Sequence, residues 1–341
     1  MKKPIAMRLW AAVAVTLLPV LPALAAHEKQ PAQLAQELEF VEFTMESGTP
    51  DKETEQAGYL VLDVATGEVL SVSVRDYLIG AVAAEMPASF APEALKAQAV
   101  AAHTYAQRLV LLAQGTADAS LKGAHFSNDS SRFQAFYTDA QMQEVFGEQY
   151  AEVHKKIAAA VDAVSAELLL YDAQPIVAAF HAMSSGKTES AAHVWGEHLP
   201  YLVAVDSSTD CDAPLFEQTA DFSAQEVQTM LSQEREDLWL GNAPENWLVI
   251  AETSDSGTVL RLNAGNAFFT GQEIRRIFSL RSAAFTVDYA DGKFTFTTKG
   301  YGHNVGMSQY GANAMANAGS TYRDILAHYY PQAVLGMETQ P

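Results

Sequence analysis

The sequence predicts an α+β fold, in which hairpins and helices occur together without a regular alternation of strand and helix. Three observations support this class. Residues 59–74, which read YLVLDVATGEVLSVSV, alternate between apolar and polar positions as strands do. From Pro92 onward, apolar side chains recur at the helical spacings of three and four. Near the C-terminus, KFTFTT at 293–298 alternates again as a strand should.

The N-terminal half of this domain is predicted to contain a hairpin and two helical stretches. Two short strands flank a turn at Thr66 and Gly67. Pro92 suits the first position of a helix, and a second helical stretch covers roughly 139–166. The buried face of the first helix is predicted to hold Leu95, Ala99, Ala102, Ala106 and Leu109, and a different face holds Lys96, His103 and Gln107.

The C-terminal half is predicted to contain a buried strand, an insert and two further helices. The strand is IVAAF at 176–180, which leads into the polar loop HAMSSGKTES. Residues 215–285 resemble a variable α/β insert, and the glycines of KGYGHNVGMSQYG permit tight turns. One helix ends at Gly319, and the pair Thr321 and Asp324 forms a capping box for the last helix.

Residues 1–26 have the layout of a signal peptide. Basic residues up to Arg8 precede an apolar stretch from Leu9 to Ala26, and Ala23-Leu24-Ala25 forms a small-residue cleavage site. An uncleaved membrane anchor is the alternative, although prolines interrupt the stretch. Residues 27–57 are predicted to be an acidic linker. Either way, the domain at 58–338 is predicted to work outside the cytoplasm, either secreted or anchored to the membrane.

Charge and cysteine content exclude several classes of function. The chain has 41 acidic and 21 basic residues, a formal charge of -20, so it has no electrostatic reason to bind nucleic acid or anionic lipid. Its single cysteine, Cys211, cannot form an internal disulfide. Because Cys211 lies in the acidic sequence SSTDCDAP, its thiol pKa should rise, which favours an incidental loop residue over a nucleophile.

Two other motifs also fail as sites. The sequence SGKT at 185–188 lacks the glycine that a phosphate-binding loop needs five positions before Gly186, where His181 stands. The histidines of the second half lack zinc-ligand spacing and have no cysteine pair beside them, so hydrogen bonding in a cleft is favoured over metal binding. These histidines are His181, His193, His198 and His303.

Glu85 is the most unusual residue of the sequence AVAAEMPASF, where it stands alone among small apolar residues. A carboxylate in such surroundings is exposed, paired or functional, because burying its charge alone costs free energy. An exposed glutamate, or one paired with Lys96, is the ordinary interpretation. The functional one is a general acid, because apolar surroundings raise a carboxyl pKa towards neutrality.

Three long motifs resemble those of the SpoIID/LytB family of sporulation and cell-wall proteins. They are YLIGAVAAEMPASFAPEALKAQAVAAHTYA, AFHAMSSGKTESAAHVWGEHLPYL and GYGHNVGMSQYGANAMANAGSTYRDILAHYYP, and the resemblance runs from about Tyr59 to Pro331. It implies a cofactor-free peptidoglycan lytic transglycosylase, which cleaves between N-acetylmuramic acid and N-acetylglucosamine and leaves a 1,6-anhydromuramyl end. The α+β domain would then form two lobes around a glycan-binding cleft.

The resemblance also implies roles for individual residues. The glutamate of the A-E-M-P motif, here Glu85, would be the catalytic acid. Other motif-matching residues would bind or orient the glycan: Lys96, His103, Ser184, Ser185, Thr188, Glu189, Trp195, Tyr201, His303, Ser308 and Gln309. For Trp195 and Tyr201, packing in the core is an equal alternative.

Some positions depart from the family pattern. His103 stands where the family usually has arginine, which removes the fixed guanidinium fork and puts affinity or rate in doubt. Some members bind zinc through cysteines after the first helix. Here that region reads GAHFSNDSSRFQAFY, so no metal is predicted.

The alternative function is a non-catalytic glycan-binding protein that enhances a cell-wall amidase, as the LytB name implies. A secreted structural protein of the spore or wall is a third possibility, with no positive feature behind it. The expected partners are peptidoglycan strands, together with a wall amidase and membrane-bound sporulation proteins.

Overall fold

A computed structural model of the protein describes residues 58–115 and 118–337. The predicted signal peptide or anchor and the acidic linker lie outside these residues. The described helices are α1 (Val74–Glu85), α2 (Pro92–Gly115), α3 (Asp139–Phe146), α4 (Tyr150–Asp162), α5 (Ala191–Trp195), α6 (Ala224–Glu234), α7 (Gly271–Ile277), α8 (Gln309–Asn317) and α9 (Tyr322–Tyr329). Within the described ranges, none of these helices is long and apolar enough to cross a membrane.

The strands are short and form several small sheets, and with the helices they confirm the predicted α+β class. They are β1 (Tyr59–Leu62), β2 (Val69–Val72), β3 (Phe126–Ser127), β4 (Glu167–Tyr171), β5 (Gln174–Pro175), β6 (Phe180–His181), β7 (Glu217–Ser223), β8 (Leu248–Thr253), β9 (Val259–Ala264), β10 (Ala267–Phe269), β11 (Phe285–Ala290), β12 (Lys293–Lys299), β13 (Met307–Ser308) and β14 (Val334–Met337).

The first hydrophobic core surrounds helix α2, whose apolar face is buried as its spacing predicts. Leu95, Ala99, Ala102 and Ala106 have no exposed surface, because helices α1, α4, α8 and α9 and strand β4 pack around them. Small alanine side chains allow these elements to approach closely. The predicted hairpin is also confirmed, since β1 and β2 pair antiparallel, and β3 adds a parallel third strand.

The second core is built by residues of 217–299. Strands β11, β12 and β7 form one antiparallel sheet, and β10, β9 and β8 form another. Helices α6 and α7 pack with them around the rings of Phe278, Phe285 and Phe296. The predicted insert at 215–285 therefore shares a core with the predicted strand at 293–298. Whether two lobes enclose a glycan-binding cleft stays a prediction.

Two predicted elements differ from those observed. Of the expected buried strand at 176–180, only Phe180 lies in a ladder, where it and the following His181 pair parallel with β13. Residues 176–179 are in neither helix nor strand, and their backbone bonds instead to Leu169 and to side chains of the core. The helical stretch at 139–166 is divided at Gly147, whose φ of 50° does not fit an α-helix.

The C-terminal predictions are confirmed. Helix α8 ends just before Gly319, which has a φ of 98°. The Thr321 side chain accepts from the Asp324 backbone N–H, and the Asp324 carboxylate accepts from the Thr321 backbone N–H, which completes the capping box of α9.

Candidate active site

Glu85 is the last residue of helix α1, and its carboxyl group is largely surrounded by protein. Its Oε1 accepts a hydrogen bond of 2.9 Å from the backbone N–H of Ala135. Burial raises the pKa of Glu85 to about 7, and the Ala135 hydrogen bond acts in the opposite direction. The carboxyl group is therefore a mixture of protonated and ionised forms near neutral pH, as a general acid requires.

A segment at 134–137 holds the hydrogen-bond donor against helix α1. Gln134 Nε2 donates to the Tyr77 hydroxyl at 2.6 Å and to the Ala102 carbonyl at 3.2 Å. The Tyr137 N–H donates to the carbonyl of Gly80 at 3.2 Å. A Cβ at Gly80 would lie 2.1 Å from the Tyr137 carbonyl oxygen, so glycine is required for this close approach.

The loop that follows Glu85 is held on both sides. Lys156 Nζ donates to the carbonyls of Ala88 and Phe90, at 2.7 and 2.8 Å. On the other side, the Ala91 N–H donates to Asn313 of helix α8, and the Phe90 ring contacts the Tyr310 ring edge-on. No sequence pattern pointed to Lys156 or Asn313, which lie far from Glu85 along the chain.

The structure gives Lys96 and His103 partners other than Glu85. Lys96 Nζ forms an ion pair of 2.6 Å with Glu93, not with Glu85. His103 has 0% of its surface exposed, and its Nδ1 lies 3.2 Å from the Glu167 carbonyl oxygen. Burial lowers the pKa of His103 to about 4, so the ring is neutral at physiological pH. A direct contact between His103 and a glycan does not fit this buried position.

Asp210 is a buried carboxylate beside the polar loop at 184–189, and no sequence pattern pointed to it. Asp210 is buried and accepts hydrogen bonds from the Ser184 N–H at 2.8 Å and from the Ser207 and Ser308 hydroxyls at 2.9 Å. Thr188 is likewise buried and bonds to the backbone of Val205. Ser184, Thr188 and Ser308 therefore hold this loop together in the interior and do not face solvent.

Asn304, at a φ of 71°, joins the same loop to the glycine-rich segment. Its Oδ1 accepts from the Ser185 N–H, and its Nδ2 donates to the Ser185 hydroxyl oxygen at 3.1 Å. The Ser185 hydroxyl donates to the carbonyl of Ser256 at 2.7 Å. Asparagine tolerates the left-handed conformation better than most residues, which explains its presence here.

Glu189 is the second buried carboxylate of this region, with 1% of its surface exposed. It accepts from the Ser190 N–H at 2.8 Å, from the Ser254 hydroxyl at 2.5 Å, and from the Ser256 hydroxyl. His193 Nδ1 lies 2.8 Å away. Burial alone would raise its pKa, but these hydrogen bonds together lower the pKa of Glu189 below its ordinary value. The ionised Glu189 carboxylate is therefore stabilised by several hydrogen bonds within the protein.

The aromatic candidates are also mainly interior. Trp195 is 8% exposed and Tyr201 is 5% exposed, so neither offers a full ring face to a sugar. The Trp195 ring lies 5.6 Å from the His303 ring, which in turn lies 5.6 Å from the His181 ring. Burial lowers the pKa of both histidines to about 3, so both rings are neutral.

Gln309 and Cys211 complete the set of candidates. Gln309 is 5% exposed, and its Nε2 has no hydrogen-bond partner among the described residues. Cys211 as a whole is exposed, but its sulfur is partly buried. This burial, together with the neighbouring Asp210 and Asp212, raises its thiol pKa, in the direction predicted. Within 58–115 and 118–337, no three histidine, cysteine, aspartate or glutamate side chains form a group that could hold a metal ion.

The candidate residues thus form two groups. Glu85 lies with the 134–137 segment, and no hydrogen bond among the described residues joins it to the polar loop. The polar loop, Glu189 and the glycine-rich segment form a buried network of their own. Asp210, Ser254 and Ser256 could not be found from the sequence, because their importance depends on contacts with distant segments.

Comparison with known proteins identifies relatives of this chain. A family model described as "Stage II sporulation protein" (SpoIID) matches residues 63–171. Over 262 residues the chain is 38% identical to stage II sporulation protein D of Bacillus amyloliquefaciens, covering 77% of this chain and 74% of the relative. Over 270 residues it is 37% identical to the Bacillus subtilis protein of the same name, covering 79% and 76%.

A more distant relative carries a different name. The chain is 30% identical over 309 residues to the amidase enhancer of Bacillus subtilis, which covers 76% of this chain but only 40% of that relative. The extent of the two closer matches is sufficient to assign the family. The chain belongs to the SpoIID (stage II sporulation protein D) family.

Proposed function

We propose that the protein is a peptidoglycan lytic transglycosylase that acts in sporulation or cell-wall remodelling, with Glu85 as its catalytic acid and base. The observation that carries this proposal is the environment of Glu85. Burial raises its pKa to about 7, and one oxygen is held by the Ala135 N–H. Among the described residues, no hydrogen-bond donor occupies the other oxygen, which is thus available to a substrate.

In the first step, protonated Glu85 donates its proton to the glycosidic oxygen. The bond between C1 of N-acetylmuramic acid and this oxygen breaks, and N-acetylglucosamine leaves with a free hydroxyl. In the second step, the C6 hydroxyl oxygen of the same muramyl residue bonds to C1, and its proton passes to the Glu85 carboxylate. The 1,6-anhydro ring closes, and Glu85 regains the protonated form with which it began.

This chemistry requires one carboxyl group. A hydrolysing glycosidase uses two, about 5–9.5 Å apart, one as acid and the other as nucleophile or base. Two carboxylates at the shorter distance would raise each other's pKa by repulsion. The pKa of Glu85 has no such contribution from another described carboxylate, since its causes are burial and the Ala135 hydrogen bond. This supports an intramolecular attack by the C6 hydroxyl over hydrolysis.

The substrate also bears on where the protein works. Peptidoglycan lies outside the cytoplasmic membrane, and residues 1–26 have the sequence layout of an export signal or anchor. We therefore propose an extracytoplasmic location, either secreted or membrane-anchored. A wall amidase and membrane-bound sporulation proteins are the proposed partners, in keeping with the names of the relatives.

The test is product analysis on purified full-length chain with peptidoglycan, both intact and freed of stem peptides. Mass spectrometry should detect 1,6-anhydromuramyl ends with the wild-type chain and none with Glu85→Gln. Glu144→Gln, an exposed glutamate of α3, is the matched control and should retain activity. The proposal fails if anhydro ends are absent on both substrates, or if Glu85→Gln produces as many. Reducing ends in their place would indicate hydrolysis.

The second candidate function is enhancement of a cell-wall amidase without glycan cleavage. The relative named amidase enhancer is the observation that favours it. Adding the chain to an amidase should then accelerate release of stem peptides, and Glu85→Gln should accelerate it equally. Loss of the effect in Glu85→Gln would tie any enhancement to glycan cleavage.

A further inference from the structure

We propose that Arg281, Tyr301 and Tyr310 form a site that binds a carboxylate group of peptidoglycan, where the two hydrophobic cores meet. This inference rests on the proposed transglycosylase function and adds to it a charged contact away from the catalytic acid. Arg281 belongs to the segment between α7 and β11 of the second core. Tyr301 lies in the glycine-rich segment, and Tyr310 lies in the first turn of α8.

Arg281 carries a positive charge for which the described part of the chain offers no carboxylate. Among residues 58–115 and 118–337 its side chain forms no ion pair, and its Nε is buried without a hydrogen-bond partner. Burial lowers the pKa of Arg281, and no carboxylate is among the groups that oppose this shift. A guanidinium group nevertheless stays charged at physiological pH. Other arginines of the chain do pair with a carboxylate, namely Arg75, Arg132, Arg235, Arg276 and Arg323.

The missing partner matters because the chain is rich in acidic residues, with 41 against 21 basic ones. A charge that leaves water without an opposite charge beside it costs free energy. The contact of Arg281 with an aromatic ring offsets only part of this cost. An anionic ligand would supply the negative charge that the described residues do not.

The guanidinium group of Arg281 is held in a defined position. Its Cζ lies over the Tyr301 ring, 4.3 Å from the ring centroid. The Gly302 N–H donates to the Arg281 carbonyl at 2.9 Å, and Tyr301 exchanges backbone hydrogen bonds of 2.7 and 3.0 Å with Met183. Gly302 has a φ of 119°, and a Cβ there would lie 2.7 Å from the His181 Cβ, so glycine is required. The donors are thus oriented before a ligand binds, which favours affinity.

Two tyrosine hydroxyls add to the donors of the guanidinium group. The Tyr301 and Tyr310 hydroxyls have no hydrogen-bond partner among the described residues, and both phenols oppose the lowered pKa of Arg281, so both lie near it. All three side chains are partly exposed, and a ligand can therefore reach them from solvent. Because two guanidinium nitrogens match the two oxygens of a carboxylate, the set favours a carboxylate ligand.

The site is distinct from the catalytic acid. The Phe90 ring lies 5.1 Å from the Tyr310 ring, and Phe90 follows Glu85 by five positions in the chain. Arg281 is not among the causes of the raised pKa of Glu85, which are burial and the Ala135 hydrogen bond. A ligand group held by Arg281 is therefore remote from the bond that is cleaved. Loss of Arg281 should weaken binding and leave the acidity of Glu85 unchanged.

Peptidoglycan offers carboxylates from two sources. The lactyl group of N-acetylmuramic acid bears one once the stem peptide has been removed, and the stem peptide bears its own. Both present the same planar, singly charged group to Arg281. The source that binds determines whether the protein prefers bare or peptide-bearing strands.

Binding to the full-length Glu85→Gln variant, in which the proposed turnover is blocked, tests the site. The probes are N-acetylmuramic acid, a free stem tetrapeptide and, as the uncharged control, N-acetylglucosamine. Calorimetry measures affinity, and NMR follows the backbone amides. At least one carboxylate probe should shift the amides of Arg281, Gly302 and Tyr310, and N-acetylglucosamine should not. The probe that does so identifies the source of the carboxylate.

Further substitutions in this variant test each donor. Arg281→Ala should weaken binding of the carboxylate probe about 10–100-fold, the size of a charged hydrogen-bonded pair. Arg281→Lys keeps the charge but not the two-pronged geometry, and should recover part of this loss. Tyr310→Phe removes one hydroxyl and should weaken binding about 3–10-fold, which tests the site even if Arg281→Ala does not fold. Arg261→Ala is the matched control and should bind as before, because Arg261 is exposed and lies over the Phe268 ring, 4.8 Å from its centroid.

Three results would overturn the site. Neither carboxylate probe shifts these amides, or the probe binds the Arg281→Ala chain as tightly as its parent, or sodium chloride at the same ionic strength shifts the amides equally. The last result would indicate a place for any small anion and no recognition of a carboxylate.

Cleavage kinetics separate this inference from the proposed function. In the otherwise wild-type chain, Arg281→Ala should raise KM for peptidoglycan about 10–100-fold, with little change in kcat or in its pH dependence. If the wild-type chain makes anhydro ends and Arg281→Ala leaves KM unchanged, the site is wrong and the function stands. If probe binding depends on Arg281 but no anhydro ends form, the site stands and the transglycosylase proposal fails.

Discussion

At the scale of the residue, the proposed chemistry of this protein depends on one carboxyl group at the end of a helix. Glu85 lies in the last turn of α1, where the helix dipole disfavours a negative charge, and burial acts in the same direction. Burial is the largest cause of its raised pKa. The Ala135 N–H limits that rise and holds one oxygen in place, so position and acidity of Glu85 depend on the same contact.

The activity should depend on the protonation of Glu85. Because the first step requires the protonated form, kcat/KM should fall as the pH rises through about 7, approaching tenfold per pH unit. Between pH 7 and pH 9 the expected loss is about 50-fold. Release of anhydromuramyl ends, measured across pH 5–9, checks this, with circular dichroism at each pH as a control for folding. Undiminished activity at pH 9 would exclude Glu85 as the acid.

Glu85 should also reduce the stability of the folded protein at neutral pH. Its pKa is about 7 when folded and near the ordinary 4.5 when unfolded, so the folded state binds a proton more tightly between these values. Stability therefore falls as the pH rises from about 4.5 to 7, by at most about 3 kcal/mol. Glu85→Gln removes this loss, and we expect it to be about 1–3 kcal/mol more stable than wild type at pH 8.

The measurement is denaturant unfolding of both proteins at pH 4.5 and pH 8. The difference in the free energy of unfolding should be small at pH 4.5 and larger at pH 8. A difference that does not change with pH would show that the carboxyl group is not shielded from water as described.

At the scale of the element, the position of Glu85 depends on how closely the 134–137 segment approaches helix α1. Gly80 permits this approach, and Gln134 holds the segment through Tyr77 and the α2 backbone. Phe136 adds a stacked contact with the Tyr77 ring at 5.1 Å. Helix α1, the 134–137 segment and helix α2 thus together hold the Ala135 N–H group in place.

Replacing Gly80 with alanine should displace the segment. The new Cβ would lie 2.1 Å from the Tyr137 carbonyl oxygen and 2.6 Å from the Phe136 ring, so the backbone must move. We expect a loss of about 1–3 kcal/mol in the free energy of unfolding, as for other overpacked sites, and a larger proportional loss of activity.

Gly115→Ala provides the matched control. A Cβ there meets nothing within 4 Å, and alanine favours a helix over glycine, so stability should stay equal or rise slightly. Full activity in Gly80→Ala would show that the close approach is not needed to orient Glu85.

At the scale of the whole molecule, two hydrophobic cores are joined by a polar contact. Glu189 belongs to the polar loop beside the first core, whereas Ser254 and Ser256 follow strand β8 of the second. Ser185 adds a bond to the Ser256 carbonyl. Because Glu189 is buried and ionised, removing the Ser254 and Ser256 hydroxyls leaves one of its oxygens without these donors, which is more costly than losing an exposed pair.

The double variant Ser254→Ala/Ser256→Ala should weaken the contact between the cores. We expect a loss of about 3–6 kcal/mol, the sum of two hydrogen bonds to a charged group, and separate melting of the second core. Differential scanning calorimetry should then show two transitions where the wild type shows one. Ser232→Ala, an exposed serine of α6, should leave the profile unchanged. A single, unshifted transition in the double variant would show that other contacts join the cores.

Much of this protein follows from its sequence. The hairpin, the buried face of α2, the capping box of α9 and the α+β class depend on local patterns and are observed as expected. The lone glutamate among alanines was also visible, because an unusual residue type stands out from its neighbours. Such features need only short stretches of chain, so the sequence alone determined them.

The environment of each site residue was decided only by the tertiary structure. His103, Ser184 and Thr188 match family motifs yet are buried, and Lys96 pairs with Glu93. Ala135 lies 50 positions from Glu85, and Ser256 lies 67 positions from Glu189, in a region whose sequence carried no readable signal. The exposure, pKa and hydrogen bonds of a site residue depend on which distant segments contact it, and a local sequence pattern does not determine those contacts.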